Sequence, residues 1–70
     1  MRKIGIRIRL GKVTWRAQLN KNDFSVYKGR RRFFSVPKEK LYGVGRIGLK
    51  HLLINAGVPI AIVDDLVSIV

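Results

Sequence analysis

The 70-residue sequence predicts an α+β domain: an N-terminal three- to four-stranded antiparallel β-meander packed against one or two C-terminal helices. Three patterns lead there. Apolar and polar residues alternate with a period of two over residues 4–19, turn-forming residues punctuate the chain at short intervals as far as Pro37, and beyond Gly48 the apolar residues recur at helical spacing. A chain of this length has room for one domain, and folding removes only about 60–65% of its unfolded surface from water, so modest stability is expected.

Ile4, Ile6, Ile8 and Leu10 alternate with Gly5, Arg7 and Arg9, which gives a first strand one apolar and one basic face. A helix would scatter the same isoleucines around its axis. Gly11-Lys12 punctuates, and Val13, Trp15, Ala17 and Leu19 then alternate with Thr14, Arg16 and Gln18, so a second strand completes a hairpin. Asn20-Lys21-Asn22-Asp23 is a turn by composition, because Asn and Asp tolerate left-handed backbone and bond their own main chain. A third strand occupies residues 24–28, Gly29 turns the chain again, and a fourth over residues 31–36 stops at Pro37, which has no N–H to give a ladder.

After this basic meander of residues 1–36 the grammar changes. Pro37-Lys38-Glu39-Lys40-Leu41 reads as a short helical turn, and Gly43, Gly45 and Gly48 loosen the chain beyond it, so residues 37–48 are expected to form a connector. Residues 49–70 form an apolar segment. Leu49, Leu52, Leu53 and Ala56 fall at i, i+3, i+4 and i+7, one helical stripe, with Gly57 where a helix takes its left-handed C-terminal residue. This stripe is expected to cover the dry face of the sheet. Pro59 suits the first turn of a further helix bearing Ile62, Leu66 and Ile69, although residues 60–70 are β-branched enough for a hairpin turning at Asp64-Asp65; the helix is preferred.

Charge divides the chain in the same way. All fifteen Lys and Arg fall within residues 1–50, where only Asp23 and Glu39 oppose them and leave +13, while Asp64 and Asp65 give residues 51–70 a balance of −2. A +11 chain of this size repels itself, and a polyanionic partner is the simplest source of neutralisation. Charge kept for solubility or heat resistance alone usually mixes both signs, and here the acids are missing.

If the apolar faces of the first two strands meet the helices, Arg7, Arg9, Thr14, Arg16 and Gln18 share the opposite, wet face. The turn Lys28-Gly29-Arg30-Arg31-Arg32 adds four positive charges at one hairpin end, and Gly29 lets the backbone approach a phosphate closely. Guanidinium suits phosphate because its fork of donors matches two oxygens, and it also bonds guanine edges in the major groove, where a two-stranded ribbon fits. The same charges would in any case discourage edge-to-edge pairing of the sheet. Alternation sends Trp15 inward with Val13 and Ala17, which leaves Phe33 or Tyr27 as the base-stacking candidate.

Other function classes find little support. With no cysteine and a single histidine, disulfides and zinc clusters are excluded, and His51 has no Cys, Asp or Glu at ligand spacing. Asp64 and Asp65 are sequence neighbours that point different ways on a helix, or make a turn, so paired-acid catalysis is not expected, nor is a metal or a cofactor. Residues 52–70 are mostly apolar, yet Asn55, Asp64 and Asp65 interrupt them, and carboxylates are costly within a bilayer; no membrane span is expected. The N-terminal Met1-Arg2-Lys3-Ile4-Gly5-Ile6-Arg7 never reaches an apolar run, so a signal peptide is not expected, and a cytoplasmic, nucleoid-associated protein is the expectation.

In order and approximate spacing, Gly5-Ile6-Arg7-Ile8, Trp15-Arg16-Ala17-Gln18-Leu19, Phe24-Ser25-Val26-Tyr27-Lys28-Gly29 and Arg32-Phe33-Phe34-Ser35-Val36-Pro37 resemble the catalytic domain of tyrosine recombinases of the phage and archaeal integrase type. The resemblance makes Arg7 and Lys28 the counterparts of that family's first arginine and hairpin lysine. Arg46, with Leu52-Leu53-Ile54-Asn55-Ala56-Gly57-Val58-Pro59-Ile60 and Val63-Asp64-Asp65-Leu66, resembles the helix pair that carries its second arginine. Departures are large. Gly43 stands where the family has a basic residue and Ile69 where it has histidine or tryptophan, the connecting segment is much shorter, and no tyrosine follows to act as nucleophile. The family's first segment is a helix, whereas the alternation here specifies a strand. The resemblance therefore implies a pared-down relative that kept phosphate-binding arginines and lost strand cleavage, a binder or a regulator of recombination.

The combined expectation is a non-catalytic protein that binds duplex DNA through Arg7, Arg9, Arg16, Lys28, Arg30, Arg31, Arg32 and Arg46. RNA or ribosome association would use the same charge with A-form shape. A homodimeric interaction module that buries residues 58–70, and a membrane-active cationic peptide, are the readings from other classes.

Overall fold

A computed structural model describes residues 4–70; Met1 to Lys3, the first residues of the segment in which no signal peptide is expected, lie outside the described residues. Four strands, β1 (Ile4–Leu10), β2 (Val13–Leu19), β3 (Asp23–Lys28) and β4 (Arg31–Pro37), form one antiparallel sheet in the order β1-β2-β3-β4. Two helices follow, α1 (Lys38–Ala56) and α2 (Ile60–Val67). The expected α+β layout, with four strands and two helices, is the observed one.

Both outer hairpins close with the same device. Leu10 faces Val13 across Gly11-Lys12, and Lys28 faces Arg31 across Gly29-Arg30. In each loop the glycine has φ +63° and the following residue does not have positive φ, the pattern of a type II′ turn, whose twist matches that of the flanking strands. The two turns lie at the same end of the sheet, where the Gly29 N–H donates to the Thr14 carbonyl at 2.8 Å. At the opposite end Asn20 makes the β2–β3 turn, its N–H donating to the Asp23 carbonyl at 2.8 Å and its Nδ2 to Asp23 Oδ1 at 2.7 Å.

The helices cover one face, α2 lying against β1 and β2 and α1 against β3 and β4. Trp15, Ala17, Phe24, Val26 and Val36 from the sheet meet Leu41, Leu49, Leu53, Val58, Ile62, Val63, Leu66 and Val67 from the helical half in a single core. α2 has eight residues and so spans about 12 Å, roughly half of a seven-residue strand at ~3.3 Å per residue. It covers the middle of β1, where Ile6 and Ile8 are half-buried, and leaves Ile4 and Leu10 exposed at the strand's ends.

Two expectations change. The expected helical turn at Lys38–Leu41 is present and extends into a longer helix than expected, with Leu41 buried in the core and Glu39 in the first turn, while the loosening by glycine is confined to a kink at Gly45, with φ 70° and ψ −175°, between two helical stretches. Phe33 is also unavailable for stacking on a base. Val26 pairs with Phe34 and Tyr27 with Arg32, so Phe33 is the extra residue of a β-bulge. Its ring packs edge-on against Trp15, with centroids 5.1 Å apart and planes at 83°. Residues 60–67 are helical and not a hairpin, since Ile62, Val63, Leu66 and Val67 all reach the core only from one helical face. α1 ends as its sequence requires: Gly57 has φ 108°, and the Val58 N–H donates to the Leu53 carbonyl at 3.0 Å.

Candidate nucleic-acid interface

The face of the sheet turned away from the helices carries the charge. Because Trp15 and Ala17 point into the core, Arg16 between them points out, and the strand register extends that choice across the sheet. Arg7 faces Arg16, Arg16 faces Tyr27, and Tyr27 faces Arg32, so these four residues form one transverse row that crosses all four strands. The Arg16 guanidinium carbon lies 4.6 Å from the centroid of the Tyr27 ring. A cation over the face of an aromatic ring at this distance is attracted by the ring's electrons.

The rows on either side differ. Towards the turns, Arg9 faces Thr14, and the Arg9 Nε donates to the Gly11 carbonyl at 3.3 Å. In the other direction Gly5, Gln18, Ser25 and Ser35 make an uncharged row, short at all positions but Gln18, with shallow hollows between it and the arginines. Ser25 is fully buried there, and its Oγ has no hydrogen-bond partner.

A second cationic group occupies the turn end. Lys28 and Arg31 face one another, Lys12 and Arg30 follow the two turn glycines, and Lys12, Lys28 and Arg31 border a hollow floored by Thr14 and Gly29. Lys28 shares the register position of Trp15, on the helix side of the sheet, and its Nζ lies 5.6 Å from the indole centroid.

No ion pair joins either group to a carboxylate among the described residues, although Asp23 borders the hollow that Tyr27 and Arg32 also line. Asp23, at the far end of the outer face, is engaged by Asn20, and among the described residues the ion pair is Lys50 with Asp64, 2.6 Å apart in the helical layer. Two pairs of like charges, Arg7 with Arg16 and Lys28 with Arg31, therefore stand directly opposite one another on neighbouring strands, an arrangement that destabilises a sheet.

Of the eight residues expected from sequence, Arg7, Arg9, Arg16 and Arg32 lie on the outer face, Lys28 and Arg31 lie on the opposite side at the turn end, and Arg30 stands at the tip. The run 30–32 is split because successive strand residues face opposite ways. Arg46 is elsewhere: it belongs to α1, and its Nη2 donates to the Val70 carbonyl at 2.7 Å. Arg7, Lys28 and Arg46, grouped by the recombinase resemblance, thus lie on the outer sheet face, at the turn end and in the helical layer. Lys12 was not among the expected site residues, although the repeated Gly-Lys and Gly-Arg loops carry its signal. The partnership of Tyr27 with Arg16 depends on the β2–β3 register, which alternation within one strand does not reveal. The apolar side chains of residues 58–70 are largely consumed by the chain's own core, with Ile60 the large one left exposed.

Comparison with known protein-family models, curated proteins and solved structures finds no match to this chain.

Proposed function

We propose that this chain is a non-catalytic nucleic-acid-binding domain that holds the phosphate backbone of duplex DNA with the outer face of its sheet and the basic turn end. The observation that carries the proposal is the uncompensated cationic row, with Arg7 and Arg16 kept face to face and no carboxylate between them among the described residues. A polyanion relieves that repulsion and gains entropy from counterion release. The recombinase resemblance without a nucleophile agrees with binding alone. Stacking of unpaired bases is less well provided for, because Phe33 is packed inward and one face of Tyr27 is already occupied by Arg16.

The test is retention of a labelled duplex across a salt series, with single-stranded DNA and structured RNA as competitors. Six phosphate contacts would give a log–log slope near −5, and hence about a thousandfold loss of affinity between 50 and 200 mM salt. Affinity that barely changes over that range, or structured RNA that displaces the duplex at lower concentration than unlabelled duplex does, would overturn the proposal.

A further inference from the structure

We infer that the outer face enters the major groove of B-form DNA with the row Arg7, Arg16, Tyr27 and Arg32 lying across the groove, and that Arg16 is the specificity-determining residue, reading a guanine edge. The inference rests on the duplex-binding proposal and adds to it a groove, an orientation and a base.

Dimensions favour this orientation. A row across four strands spans three interstrand steps of about 4.8 Å, or about 14 Å, more than the roughly 12 Å of the major groove, so only its centre on β2 and β3, the width of a two-stranded ribbon, can sit within the groove. The two ends of the row, Arg7 and Arg32, then fall over the two phosphate ridges, while Arg16 and Tyr27 at its centre face the floor. In the row of Gly5, Gln18, Ser25 and Ser35 beside it only Gln18 is longer than serine, so the arginine row is the ridge that reaches furthest. The deep, narrow major groove of A-form RNA does not admit a surface of this width.

Chemistry selects Arg16 within the row. Its guanidinium is held over the Tyr27 ring, 4.6 Å from the centroid, and makes no hydrogen bond among the described residues, so its fork of donors is uncommitted and has fewer rotamers to lose on binding. Guanine presents two acceptors, N7 and O6, at the spacing that fork matches. Arg7 and Arg32, at the ends, meet phosphates that are the same at every sequence.

The experiment measures binding of the intact chain to equal-length duplexes that differ in the position and number of G·C pairs, with each guanine also replaced by 7-deazaguanine, which lacks the N7 acceptor. The native protein should prefer one guanine-containing duplex roughly ten- to a hundredfold over A·T-only duplex and lose that preference on 7-deaza substitution. Arg16→Lys keeps the charge and should erase the preference, so that guanine-containing and A·T-only duplexes are bound alike. Arg7→Ala and Arg32→Ala should weaken all duplexes alike and reduce the salt slope by about one each. Salt-dependent duplex binding with no guanine preference, or a preference that survives Arg16→Lys or 7-deaza substitution, would overturn this inference and leave the binding proposal standing. Absence of salt-dependent duplex binding would remove both.

Discussion

Arg7 and Arg16 face each other on adjacent strands with no carboxylate between them among the described residues, so a single charge reversal separates what serves the fold from what serves the ligand. Arg7→Glu turns a repulsive cross-strand pair into an attractive one. Opposite charges facing across strands contribute roughly 0.2–1 kcal/mol and like charges oppose the sheet, so the variant should be more stable by about 0.5–1 kcal/mol. In a domain of this size about 1 kcal/mol moves the melting temperature by ~4–8 °C, which places the expected rise at about 2–8 °C. The gain should shrink with added salt, since both side chains are exposed and a Debye length of ~8–10 Å screens them at physiological ionic strength. Binding should move the other way: two units of charge are lost at the end of the row, and the salt slope for duplex DNA should fall by about two. Thermal melts at two ionic strengths, with duplex retention over a salt series, measure both. A melting temperature that falls would show that the row is not strained, and duplex affinity equal to the native protein's would show that it does not touch phosphate; either result would refute the reasoning.

Ser25→Ala should stabilise the protein by about 1 kcal/mol in urea unfolding, because it removes a buried hydroxyl that has no partner. Gly29→Ala should destabilise it by about 1–2 kcal/mol, since φ is +63° there while a Cβ would meet nothing within 4 Å; the cost is backbone strain without a clash, and a parallel Gly11→Ala variant should lose a similar amount. Gly45→Ala should cost about 1–3 kcal/mol by the same measurement, because φ 70° with ψ −175° belongs to glycine alone and a straightened α1 would pull Leu41 from the core. A double-mutant cycle on Lys50 and Asp64 should return only about 0.2–1 kcal/mol, as expected of an exposed pair.

The meander was legible because each strand states its own period. Ile4, Ile6 and Ile8 against Gly5, Arg7 and Arg9 leave one solution, a slip of one residue would put arginines in the core, and Gly11 and Gly29 mark loops of two residues between the runs. Features that depend on how one strand meets another were not legible. The bulge that turns Phe33 onto Trp15 arises from the β3–β4 pairing, and Arg31 and Arg32 part company because adjacent residues take opposite faces. The segment 38–48 misled for a different reason: three glycines argue against a helix locally, and burial of Leu41 under the sheet decides for one. Arg46, singled out by the recombinase resemblance, goes with α1 into the helical layer.

The same separation of layers explains why the candidate site and the core do not compete. Away from the bulge at Phe33, strand residues that pack on the helices alternate with residues that do not, and on β1 and β2 the latter include Arg7, Arg9 and Arg16. Substitutions along the outer row therefore change charge without opening a cavity. The core needs only the inward residues to hold, so repulsion between Arg7 and Arg16 lowers stability by a fraction of what Trp15, Phe24 and Val26 supply beneath them. A fold held from one face can keep the other unsatisfied until an anion meets it. The degree to which duplex DNA raises the melting temperature should accordingly depend on the outer row, and the Arg7→Glu variant, already relieved of its repulsion, should gain less from the same ligand than the native chain does.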